Sequence, residues 1–115
     1  MKKVNVFLNI NDYKLETIGF LDKNILKFKD KDELETDIIY DIDNDTLIRD
    51  NSDITIKMDF SKDVNNMEYT LKENNISFSD TFKKYSLNNS FGNIIIRYRV
   101  GENMFNLTLK YEEVK

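Results

Sequence analysis

The 115-residue chain contains no cysteine, histidine, proline, tryptophan or alanine, and it has three glycines. Without cysteine it has neither disulfides nor thiolate zinc sites, which suits a reducing compartment. Without histidine it loses the commonest general base, the commonest metal ligand and the usual pH switch together. Asparagine, isoleucine and lysine are abundant instead, as the base composition of an AT-rich genome produces. That bias also generates glycosylation patterns at Asn75, Asn88 and Asn106, which carry no weight without a signal peptide. The N-terminus sets Lys2 and Lys3 before apolar residues, but Asn5, Asn9, Asn11 and Asp12 interrupt any continuous hydrophobic region. It reads as the first strand of a cytoplasmic protein. No apolar run approaches the length of a membrane span. The net charge is −4 with the acids scattered, so no wide basic face is advertised for phosphate backbones or anionic lipid, and nucleic acid is disfavoured as a partner.

Period-two alternation is present from end to end. Val4, Val6, Leu8 and Ile10 share one side of a first strand, and Ile54, Ile56, Met58 and Phe60 one side of another. Met67, Tyr69 and Leu71 repeat the pattern, as do Ile94, Ile96, Tyr98 and Val100, and finally Phe105, Leu107, Leu109 and Tyr111. One face of each strand is dry and one wet, as in antiparallel sheets that wrap a core. Short polar links, among them Leu21 to Asn24, Glu73 to Asn75 and Asn88 to Gly92, separate the runs, and their Asn and Asp residues stand in for scarce glycine at tight turns. "SDTFKKYSL" has a helical spacing of Phe82 and Tyr85, but strands on both sides favour strand there too. A meander of this kind has exposed edges unless it closes on itself. The expectation is a single all-β domain over residues 1–115, an up-and-down antiparallel barrel of about 8–10 strands sealed by its first and last strands.

"ETIGFLDKNILKFKD", "IIYDIDNDTLIRDNSDITIKMDF" and "MEYTLKENNISFSDTFKKYSLNNSFGNIIIRYRVGENMFNLTLKYEE" follow one another in an order that resembles the YwiB-like family of small bacterial proteins. The resemblance runs from about Asp12 to Glu113 and rests on strand order, the Gly-led "GNIIIRYRV" strand and the closing "NLTLKYEE" strand. It implies a calycin-like (lipocalin-like) barrel, akin in architecture to lipocalins and fatty-acid-binding proteins, and it carries over no catalytic residue.

Each chemical motif has a plainer reading beside it. Asp41, Asp43 and Asp45 open like a calcium-binding loop, yet Thr46 stands where a glycine turns the loop and Ser52 where a glutamate grips the ion. A hairpin turn is the better reading, and no metal ligand is assigned. The Gly-x-Trp of lipocalins is absent. An inward Arg-x-Tyr clamp is absent from its expected strand, because Tyr98 faces away from Arg97 and Arg99. Inside the barrel, Tyr69, Tyr98 and Tyr111, with Met58 and Ile96, are the candidate ligand-binding residues. Their hydroxyls could orient a small apolar or amphipathic ligand, or bond each other and nearby backbone. A core without alanine favours filling over a roomy pocket. Arg97, Arg99, Lys83 and Lys84, interleaved with Phe82, Tyr85 and Tyr98, form the most basic segment and have the ingredients of a single-strand-binding sheet. The plainer alternative is a solvated face balanced by opposite charges on neighbouring strands. No phosphate loop or nucleophile turn is present, so no catalytic residue and no cofactor is assigned, and the balance leans away from an enzyme. The leading reading is noncatalytic binding of a small ligand inside the barrel. The other is a structural or protein-interaction module with a filled core, as a homo-oligomer or with a partner protein.

Overall fold

Alternating side chains commit each segment to a strand with one buried face, and consecutive segments pair in order. The computed structural model describes residues 1–114. Its strands are β1 (Lys2–Ile10), β2 (Tyr13–Asp22), β3 (Ile25–Lys29), β4 (Asp37–Asp41), β5 (Thr46–Asp50), β6 (Ile54–Asp59), β7 (Val64–Leu71), β8 (Ile76–Asn89), β9 (Asn93–Val100) and β10 (Asn103–Glu113). Each pairs antiparallel with its sequence neighbours, and β1 pairs with β10, so the ten strands form a closed up-and-down barrel. The sealing register sets Val6 opposite Tyr111 and Leu8 opposite Leu109, which continues the dry face without interruption. "SDTFKKYSL" lies within β8 and is strand.

The two-residue turn between β2 and β3 needs left-handed backbone at both positions, and Lys23 (φ 50) and Asn24 (φ 65) supply it. Gly19, on the inner face of β2, is required by proximity. A Cβ there would meet the Lys27 carbonyl oxygen at 2.8 Å and Val6 Cγ2 at 2.9 Å, so a side chain would push β1 and β3 off the wall. The turns after β1, β3, β5, β7 and β9 gather at one end of the barrel, called the rim below. The turns after β2, β4, β6 and β8 gather at the opposite end with the start of β1 and the end of β10, where the Val114 amide donates to the Lys3 carbonyl at 3.1 Å.

Candidate functional site

The interior is packed with large side chains. Phe60 meets Phe82 at 5.4 Å and Tyr98 at 5.1 Å between ring centroids, and Tyr98 stacks on Phe105 at 5.2 Å. An interior cavity walled by Leu8, Phe28, Tyr40, Leu47, Arg49 and Leu107 among others has a volume of about 10 Å3. That is room for about one water.

Met58, Ile96 and Tyr98 are buried in this core, while Tyr69 and Tyr111 are partly buried at its margins. None of the five lines the residual cavity. Tyr69 lies against Phe78 with the rings stacked at 4.9 Å, and its hydroxyl donates weakly to the Met67 sulfur at 3.5 Å. Burial pushes the Tyr98 phenol up to about 12, with the nearby Arg49 charge opposing the shift. Burial likewise raises Tyr69 and Tyr111.

The rim holds a polar cluster that the sequence reading missed. Leu47 and Arg49 share the inner face of β5, so an arginine stands at a core-facing position. Its Nη2 donates to Asp30 Oδ2 at 3.1 Å, and the Asp30 side chain is only 4% exposed against 33% for Arg49. The other Asp30 oxygen accepts the Tyr13 hydroxyl and, at 2.7 Å, the Lys31 amide. The Asp30 bond is the first cause that raises the Tyr13 phenol, ahead of burial. Beside it, buried Thr36 donates its hydroxyl to Asp32 at 2.5 Å and accepts Asn51 Nδ2 at 3.1 Å, and the Asp30 amide donates to the Thr36 carbonyl at 2.8 Å. With a cation and two further donors on it, Asp30 is a satisfied structural carboxylate that pins the β3–β4 loop over the rim. The signal was available in "TLIRD", where alternation alone turns Arg49 inward.

At the opposite end the acidic stretch is the β4–β5 hairpin turn. Asp41 Oδ1 accepts the Asp43 and Asn44 amides, both at 3.1 Å, and Asp41 Oδ2 accepts Asn44 Nδ2 at 2.8 Å. Asp45 Oδ1 accepts the Tyr40 hydroxyl and Asn89 Nδ2, both at 2.9 Å, so these carboxylates cap the barrel's own groups. Burial, then the Asp45 bond, drives the Tyr40 phenol far above its ordinary value.

The basic segment divides between the two faces. Phe82 and Tyr98 turn inward, and Lys84 is largely buried with its Nζ 3.7 Å from Asp63. Lys83, Tyr85, Arg97 and Arg99 remain outside. The register corrects the expectation of opposite charges on neighbouring strands. Arg99 lies opposite Lys83 on one side and Met104 on the other, and Arg97 opposite Ser86 and Asn106.

No family model matches the chain, and no curated relative does. Among solved structures, the crystal structure of the ywiB protein from Bacillus subtilis superposes with a TM-score of 0.62 at 16% identity, covering 98% of this chain and 91% of that one. In fold, this chain is similar to that protein, and its own fold is a closed ten-stranded antiparallel barrel.

Proposed function

We propose that this chain is a noncatalytic binding module whose interior is a packed core and whose working surface lies outside. The observation that carries this reading is the interior cavity of about 10 Å3, far below the few hundred Å3 that enclose a small ligand. Its topology supports the calycin-like class that the resemblance implies. The cysteine-free composition suits a reducing compartment and so supports a cytoplasmic site of action, and the bacterial family that the sequence resembles supports a bacterial source. Among the described residues, no helix is long and apolar enough to cross a membrane.

A second reading, capture of a small apolar or amphipathic ligand by Met58, Tyr69, Ile96, Tyr98 and Tyr111, has one observation in its favour. The Tyr98 ring is buried and its hydroxyl makes no hydrogen bond among the described residues, so that oxygen is free to meet a polar atom of a ligand. A ligand there requires the core to open.

Native mass spectrometry of the purified protein separates the two. A native mass of one bare chain, or a whole-number multiple of it, supports the outer-surface reading. An excess of some hundreds of daltons per chain, released on unfolding and lost in Met58→Ala or Ile96→Ala, overturns it in favour of ligand carriage.

A further inference from the structure

The outer face of β8, β9 and β10 is cationic on an acidic chain. The chain carries 21 acidic residues, yet residues 81–101 contain none, and residues 81–111 contain only Glu102 against Lys83, Lys84, Arg97, Arg99 and Lys110. Folding removes Lys84 from this face by pairing it with Asp63. Lys83, Arg97 and Arg99 enter no ion pair among the described residues, as is common for the cations of this chain, but here no acid lies opposite them in the sheet. Lys83 and Arg99 are direct cross-strand partners, a like-charge placement that weakens a sheet. A register shift between Lys84 and Ser86 interrupts the alternation of β8, and both Tyr85 and Ser86 are exposed beside these cations. The Lys83 ammonium lies 5.1 Å and the Arg99 guanidinium 6.0 Å from the Tyr85 ring centroid. Ile95, on the same face two residues before Arg97, is 44% exposed.

An uncompensated cationic row on an otherwise acidic protein calls for an anionic partner. A closed barrel has no strand edge for a peptide to extend, so the partner must be read by side chains. A single-stranded nucleic acid needs stacking platforms, and Phe82 and Tyr98 are inside while the Tyr85 ring is already engaged by two cations. We propose that Lys83, Tyr85, Arg97 and Arg99, with Ile95 as an apolar contact, form the docking surface for an acidic segment of a partner protein. The guanidinium forks of Arg97 and Arg99 hold its carboxylates, a geometry that arginine supplies better than lysine. This rests on the reading that the working surface is external, and it names that surface and the class of its partner.

The test uses the full chain and a fluorescein-labelled decapeptide of glutamates with one central leucine, followed by fluorescence anisotropy at low salt. Saturable binding is expected, weakened about tenfold or more by Arg97→Glu with Arg99→Glu and by raising salt to a level where the Debye length falls to about 8 Å. Arg99→Glu alone sets an acid opposite Lys83, so the free variant is expected to melt higher, by about 2 °C, while it binds less. A loss of binding in a more stable protein is not a folding defect. The proposal is overturned if the decapeptide does not bind at low salt, if the double variant binds it unchanged, or if a twelve-nucleotide oligo-dT binds the face more tightly. A bare native mass combined with no peptide binding removes this surface and leaves the outer-surface reading intact; a carried interior ligand removes that reading instead.

Discussion

At the scale of single residues, the departures from easy backbone geometry sit in turns. Among the described residues, seven non-glycine positions have positive φ, and four of them, Asn11, Asn24, Asp45 and Asn75, are the Asn and Asp that substitute for glycine in a chain with three. Those four were legible, since asparagine and aspartate tolerate the left-handed region better than other residues with a side chain. Lys23, Glu35 and Phe91 were not, because nothing in a lysine, glutamate or phenylalanine announces that conformation, and the closing strands impose it. Phe91 is the extreme case, at φ 47 with its side chain 70% exposed and Gly92 following at φ 117. Its ring gains little from burial while its Cβ carries the strain. Phe91→Gly is therefore expected to stabilise the barrel by about 0.5–1 kcal/mol, read as a higher urea midpoint at unchanged slope. A lower midpoint would mean that the exposed ring makes a stabilising contact with the barrel after all.

At the scale of elements, period two located the strands, because a half-buried strand writes its two faces directly into the sequence. The pattern says less about charges on the dry face, and there the reading fell short. Arg49 is not among the residues that reading singled out, although Leu47 two residues before it fixes the same inward face. The bulge in β8 was invisible for a related reason: an extra residue shifts parity only once pairing with β9 is known. Arg49→Met keeps volume but leaves the Asp30 carboxylate buried without its cation. The expected loss is about 2–3 kcal/mol by denaturant titration, at the lower end of the range for a broken buried pair because the guanidinium is a third exposed. Asp30→Asn added to Arg49→Met should recover most of that loss. If the double variant is as unstable as the single, the pair is not what holds the β3–β4 loop over the rim.

At the scale of the whole molecule, closure joins strands from the two ends of the chain, and the enclosed space is filled by the residues that alternation points inward. Tyr40 and Tyr98 are two of these, and both are held neutral by burial. A phenol whose folded value lies above its unfolded value of 10.0 contributes stability that is fully present below that pH. The contribution disappears as pH rises through the folded value, which is about 12 for Tyr98. Unfolding free energy, read by denaturant titration at each pH, is therefore expected to fall between pH 10 and 12. Tyr98→Phe tests the assignment without disturbing a hydrogen bond, because burial and the Arg49 charge are the only causes that act on that hydroxyl. Its stability at neutral pH should stay close to that of the parent, and its alkaline transition should move to higher pH. Tyr40→Phe differs in removing a donor to Asp45, so it should lose about 1 kcal/mol at neutral pH as well as shifting the alkaline limb. An alkaline transition in Tyr98→Phe that overlays the parent would show that folding leaves the Tyr98 phenol at its ordinary value and that burial of its ring does not link stability to pH.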